Sequence, residues 1–149
     1  MKVDVSYHGR SEQADSPYTY YADLTEMAQN VDWNICITPG GAGTKHIVNK
    51  EVLEALGPTG AVVNVARGSV IDEQALVDAL KSGKVGGAAL DVFENEPNPH
   101  PDLLTMTNVL LQAHQGSGTV ATRTAMAQLV LDNIADHMAG RPLKTQVMA

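Results

Sequence analysis

The chain has 149 residues, 44% of them hydrophobic and 18% charged, and a formal net charge of -7 at pH 7. That length suits one domain with a real core, and an acidic chain without a basic patch argues against a nucleic-acid partner. The single cysteine, Cys36, cannot close an internal disulfide, which fits a reducing cytoplasm, and with no N-terminal apolar h-region and no apolar run of spanning length, no membrane partner is expected.

Residues 1–7 alternate, with Val3, Val5 and Tyr7 against Lys2, Asp4 and Ser6, and predict a strand. His8, Gly9, Arg10 and Ser11 form the turn at its carboxyl end. Residues 20–21 predict a short strand. Asp23 is the expected N-cap of a helix over 24–29, with Glu26 completing a capping-box pattern. Residues 33–38 read as a buried strand ended by Pro39-Gly-Gly41, with Cys36 as a small core residue. Asn49 caps a helix over 50–56, and Gly57-Pro58 stops it.

The apolar run 61–65 reads as a buried strand broken by Arg67 and Gly68. Residues 70–80 read as a helix opened by Asp72 and Glu73, with its amphipathic part over 73–81. Ala75, Leu76, Ala79 and Leu80 share one of its faces. Residues 85–92 predict a strand of small residues that lets a helix or a cofactor come close. A proline-rich loop over 95–101 leads to a strand at 109–111. Ser117 or Thr119 caps the longest helix, which runs to about residue 139. Along it Met126, Leu129, Val130, Asn133, Ile134 and His137 follow helical spacing, and Met126 and Met138 read as packing residues. Gly140-Arg-Pro142 stops it, and an extended tail follows. Strands alternating with helices at this spacing predict a parallel α/β sheet with right-handed crossovers.

Ligands of open α/β sheets bind at the carboxyl ends of strands. Arg67, Glu96 and His114 each follow a predicted strand. An arginine forms a two-pronged contact with a carboxylate. A histidine held protonated by a carboxylate gives or takes a proton. Together they suit a keto acid. His46, His100 and His137 lack metal-ligand spacing, so no metal is expected and no function is assigned to them. Gly116-Ser-Gly118 lacks the Gly-x-Ser-x-Gly spacing of a hydrolase nucleophile.

Three motifs then carry a family resemblance: Asn64-Val-Ala-Arg-Gly-Ser-Val-Ile-Asp-Glu73, Gly87-Ala-Ala-Leu-Asp-Val-Phe-Glu-Asn-Glu-Pro97 and Asn108-Val-Leu-Leu-Gln-Ala-His-Gln-Gly-Ser117. In this order and spacing, nearly the whole chain resembles the cofactor-binding domain of the D-isomer-specific 2-hydroxyacid dehydrogenases, particularly the glyoxylate/hydroxypyruvate reductase branch. The resemblance implies an incomplete Rossmann-like doubly wound parallel sheet with flanking helices. It implies hydride transfer between a nicotinamide cofactor and a 2-keto carbon. Arg67 would bind the substrate's carboxylate and carbonyl, His114 would be the general acid and base, and Glu96 would pair with His114 and raise its pKa. Asp91 would contact the nicotinamide-ribose side, lined by Val65 and Ala66. Pro39, Thr44 and Gly116 join the implied cofactor set with Arg67 and His114. His8, Gly9, Arg10 and Ser11 lie where the family reads the adenosine ribose. Arg10 and Ser11 suit a 2′-phosphate, so NADP is expected, with NAD possible. A cytoplasmic homodimer is implied for a full-length parent.

The chain departs from the family pattern in several places. It contains no Gly-x-Gly-x-x-Gly loop, which in the family holds the pyrophosphate. Pro39-Gly-Gly-Ala-Gly43 follows a later strand and does not replace it. The first βα unit and the substrate domain have no counterpart in residues 1–149, which therefore read as a partial NAD(P)-binding domain plus a C-terminal helix and tail. The family commonly places proline before the histidine and an apolar residue after it, where this chain has Ala113 and Gln115. The first strand of the family's sheet lies between the strand at 1–7 and the rest, so its absence leaves two unpaired edges. These 149 residues alone are expected to be marginally stable, to self-associate or pair with another chain, and to show no turnover. The alternative is a non-catalytic truncated remnant that acts only through association with another chain.

Overall fold

A computed structural model describes residues 3–147. It divides into two compact units, residues 1–113 and 114–149.

In the first unit the order is β1 (Ser6–His8), β2 (Thr19–Tyr21), α1 (Leu24–Ala28), β3 (Trp33–Cys36), α2 (Lys50–Leu56), β4 (Ala61–Asn64), α3 (Glu73–Lys81), β5 (Gly87–Leu90) and β6 (Val109–Leu111). Every strand pair is parallel. The strands form two sheets, β1-β2 and β3-β4-β5-β6. This is the expected Rossmann-like α/β class, and β1 and β3 belong to separate sheets.

The helices begin where short polar side chains can cap them. Asp23 accepts from the Glu26 amide at 2.9 Å, Asn49 from Val52 at 3.1 Å and Asp72 from Ala75 at 3.0 Å. Each satisfies a backbone donor that the first turn leaves orphaned. The Glu26 amide also holds the Asp23 carboxyl below its ordinary range. At the other end of α2, Gly57 takes a φ of 81°, which stops the helix.

One face of the four-stranded sheet is buried. Val62 of β4 and Ala88 and Leu90 of β5 share a core with Leu53 and Leu56 of α2 and Leu76, Val77 and Leu80 of α3. The opposite face differs from the expectation of a buried β3. Asn34 and Cys36 are buried, while Trp33 is 62% and Ile35 57% exposed. Side chains alternate across a strand, and the register runs Ile35, Val63, Ala89, Leu110 across the sheet. Leu110 is 62% exposed as well, so this apolar row lies open.

Several strands are shorter than the sequence predicts. β1 starts at Ser6, where pairing with Thr19 begins; residues 3–5 are irregular, and Met1 and Lys2 lie outside the described residues. β3 ends at Cys36, β4 at Asn64, and β5 spans only Gly87–Leu90. The helix after β4 starts at Glu73, because a 3-10 turn over Gly68–Val70 intervenes.

The second unit is α4 (Val120–Met138) and the segments around it. Thr119, one of the two expected caps, accepts from the Thr122 amide at 3.1 Å. The stripe read as packing is open here: Met126 is 55%, Val130 58% and Met138 83% exposed. The tail is not extended but folds back on α4. The Lys144 amide donates to Asn133 Oδ1 at 2.9 Å and its Nζ to Asp132 at 2.6 Å. The lysine's hydrogen bond holds the Asp132 carboxyl below its ordinary range. Among the described residues no helix is long and apolar enough to cross a membrane.

Candidate active site

The site is built from the carboxyl end of β4. Asn64 is 1% exposed. Its Nδ2 donates to the Arg67 carbonyl at 3.0 Å, and its Oδ1 accepts from the Ala66 amide at 3.0 Å. One buried amide thus shapes the whole turn that presents Arg67. The Val65 amide donates to the Cys36 carbonyl at 3.3 Å, and the Asp91 amide to the Asn64 carbonyl at 3.0 Å. The segments that follow β3, β4 and β5 are therefore stitched side by side.

Arg67 is exposed. Its Nη1 donates to the Ala66 carbonyl at 2.6 Å. A guanidinium has five N–H donors, so capacity for a carboxylate remains. Two glycines let neighbouring segments close on it. A Cβ on Gly40 would lie 2.8 Å from Arg67 Cγ, so the loop after β3 rests on the arginine stem. A Cβ on Gly68 would lie 1.9 Å from the Phe93 carbonyl, so the loop after β5 rests on the Arg67 turn.

That second loop runs from Asp91, which is 9% exposed, to Glu96. The Phe93 amide donates to Glu96 Oε1 at 3.2 Å, so the carboxylate closes its own loop. Glu73, in the first turn of α3, accepts from the Glu94 and His100 amides, both at 3.1 Å. Sequence reading treated Glu73 only as a helix opener. Its role as a loop tie spans too many residues to be read from local pattern.

The first unit therefore brings Arg67 together with the loop of Asp91 and Glu96 and with the loop of Pro39 and Thr44. Thr44 Oγ1 donates to the Pro39 carbonyl at 2.7 Å. Val65 is 50% exposed and Ala66 is buried. His8, Gly9, Arg10 and Ser11 end β1 in the other sheet. His8 Nδ1 lies 3.0 Å from the Tyr21 carbonyl, Tyr20 Oη donates to the Gly9 carbonyl at 3.2 Å, and Arg10 and Ser11 are exposed. His114 opens the second unit with a left-handed φ of 51°. Such a φ is unfavourable for a side-chain-bearing residue. Gly116 follows in a turn closed by the Gly118 amide on the Gln115 carbonyl at 2.8 Å.

The donor set can be compared with the needs of a dinucleotide. Exposed Val65, with Arg67 and Asp91 beside it, offers an apolar surface flanked by polar groups, which suits a nicotinamide and its ribose. An exposed Arg10 and Ser11 after β1 suit a phosphorylated ribose. Both ends fit, whereas the sequence holds no glycine loop for the pyrophosphate.

Residues 1–116 match the family described as D-isomer specific 2-hydroxyacid dehydrogenase, NAD binding domain. The chain belongs to the D-isomer-specific 2-hydroxyacid dehydrogenases. Among relatives in this dehydrogenase family, it is 46% identical over 144 residues to hydroxyphenylpyruvate reductase of Plectranthus scutellarioides, covering 97% of this chain and 46% of the relative. It is 44% identical to glyoxylate/hydroxypyruvate reductase A of Arabidopsis thaliana, with the same 97% and 46% coverage. Among solved dehydrogenases, it superposes with a TM-score of 0.95 and 47% identity on an NADPH-dependent glyoxylate/hydroxypyruvate reductase from Sinorhizobium meliloti, crystallised with NADP and malonate. That match covers 97% of this chain and 46% of the other. The chain thus spans just under half the length of the dehydrogenases it matches.

Proposed function

We propose that this chain is the cofactor-binding part of an NADP-dependent oxidoreductase that interconverts a small 2-keto acid, such as glyoxylate or hydroxypyruvate, and its 2-hydroxy acid. The observation that carries this reading is the seating of Arg67. Asn64 fixes the backbone turn at the end of β4 that presents the exposed Arg67, and the loop of Asp91 and Glu96 borders that turn at Gly68. Family membership supports the reading, as does the similar S. meliloti enzyme crystallised with NADP and a dicarboxylate.

A bound nicotinamide cofactor supplies the hydride. Arg67 binds the substrate carboxylate and polarises the keto oxygen, fixing which carbon is presented. His114 gives a proton to that oxygen in reduction and removes it in oxidation. Glu96 is the carboxylate that partners the histidine; the order of the three motifs supports this pairing. Asp91, Val65 and Ala66 hold the nicotinamide ribose, with Pro39, Thr44 and Gly116 completing that side. His8, Gly9, Arg10 and Ser11 hold the adenosine ribose, where a cation and a hydroxyl favour a 2′-phosphate over a free hydroxyl. NAD remains the poorer cofactor. The family resemblance supports a partial domain that works with a pyrophosphate loop and a substrate domain, in a cytoplasmic homodimer. Burial of the lone Cys36 is consistent with a reducing compartment.

The test is NADPH oxidation by glyoxylate and by hydroxypyruvate, followed by absorbance in the intact protein. Both are expected to be reduced, and His114→Ala is expected to lower kcat by about a hundredfold or more. NADPH that neither binds nor is consumed would instead favour the non-catalytic remnant.

A further inference from the structure

The loop of Asp91 and Glu96 is tied to the Arg67 turn by a residue outside the site described above. His46 lies between β3 and α2 and takes a left-handed φ of 52°. That conformation costs a side-chain-bearing residue energy, and surrounding contacts must hold it. Those contacts lead to the site from two sides. The His46 amide donates to the Ser69 carbonyl at 2.8 Å, within the turn that follows Arg67. Its ring Nε2 lies 2.8 Å from Glu94 Oε1, in the loop between Asp91 and Glu96. Its other ring nitrogen, Nδ1, lies 4.0 Å from Asp72 Oδ2, the cap of α3. One histidine therefore joins the connections after β3, β4 and β5.

We propose that His46 is a positioning residue for keto-acid binding: through Glu94 and Ser69 it fixes the loop of Asp91 and Glu96 against the Arg67 turn. This rests on the reading of Arg67 as the carboxylate-binding group. A purely stabilising ion pair is the competing explanation. The side chains of His46 and Glu94 are 33% and 38% exposed, and pairs in such water-accessible places add little to global stability. Holding two loops in register is a different task. Gly68 already meets the Phe93 and Glu94 backbone and Glu73 holds the Glu94 amide; the His46 ring adds a tie to the Glu94 side chain.

The test uses His46→Ala, His46→Gln, Glu94→Ala and the His46→Ala/Glu94→Ala double variant of the intact protein. His46→Ala is expected to raise the keto-acid KM about tenfold, the loss of one hydrogen bond to a charged group, with a clearly smaller rise in the NADPH KM, because Asp91 shares the loop, and the Tm nearly unchanged. Backbone amides of residues 67–70 and 91–96 should exchange faster. His46→Gln retains an amide donor and should recover most of the loss. Glu94→Ala should match His46→Ala, and the double variant should be no worse than either single one. An unchanged keto-acid KM and unchanged exchange in His46→Ala would overturn the proposal, as would multiplying losses in the double variant or an equal rise in both KM values. Arg67→Ala separates the two readings. If it leaves keto-acid reduction intact, the carboxylate assignment fails, and exchange in the two segments still decides whether His46 ties them.

Discussion

Gly68 and Phe93 meet backbone to backbone: a Cβ at Gly68 would lie 1.9 Å from both the carbonyl carbon and oxygen of Phe93. No side-chain adjustment relieves a clash with a main-chain carbonyl. Gly68→Ala must push the Arg67 turn and the loop after β5 apart. It is expected to destabilise the fold by about 3 kcal/mol in urea melts. Gly43→Ala is the control, since its Cβ would meet nothing within 4 Å, and it should stay within about 0.5 kcal/mol of the parent. Equal midpoints for the two variants would contradict this close approach.

Cys36 is buried, and burial pushes its thiol up to about 12 from an ordinary 9.0. The folded thiol should resist alkylation at mildly alkaline pH and react only when the chain unfolds. The raised value also sets a pH dependence. Below 9.0 both states keep the proton; above it the unfolded chain loses the proton while the folded chain holds it until about 12. The unfolded state then binds fewer protons, so stability falls as pH rises across that window. Urea midpoints of the parent and Cys36→Ala, compared at neutral pH and at about pH 10.5, should show a steeper decline in the parent.

Trp33, Ile35 and Leu110 lie on a sheet face without cover, and parallel sheets are ordinarily covered on both faces. Residues 1–149 alone should therefore self-associate with rising concentration. Ile35→Lys should shift sedimentation towards the monomer. Because Trp33 is the only tryptophan, its emission reports the same change, with acrylamide quenching greatest in the lysine variant. A parent that stays monomeric at high concentration would show that this face needs no cover.

Much of this was legible in the sequence, and the failures share a physical cause. Asp23 and Asn49 were readable as caps because a cap acts on an amide a few residues away. Arg67 and Glu96 could be singled out as candidates because their motifs are contiguous. The face of β3 was not: an apolar run over residues 33–38 reports capacity for burial, while burial of Trp33 and Ile35 depends on what covers the second face. The same holds for Met126 and Val130 on α4. β1 begins at Ser6 because pairing with Thr19 decides its start, which alternation of Val3 and Val5 cannot reveal. His46 reaches Glu94 across 48 positions, and Glu73 reaches His100 across 27. Such ties leave no local pattern.

Arg10 tests the cofactor preference. Arg10→Asp replaces a cation with an anion where the proposed 2′-phosphate sits. The NADPH KM is expected to rise by about tenfold to a hundredfold, the range for a lost charge-assisted phosphate contact, while the NADH KM changes little or improves. Equal effects on the two cofactors would place the phosphate elsewhere.

The most direct measurement is the keto-acid dependence of the Arg67 variants in the intact protein. Arg67→Lys keeps a charge without the planar fork, and Arg67→Ala removes both. With glyoxylate and hydroxypyruvate under saturating NADPH, kcat/KM should fall about tenfold or more for Arg67→Lys and further for Arg67→Ala. NADPH affinity measured by cofactor fluorescence should fall far less than kcat/KM in both. Turnover that survives Arg67→Ala with an unchanged keto-acid KM would contradict the assignment of Arg67 as the carboxylate-binding group.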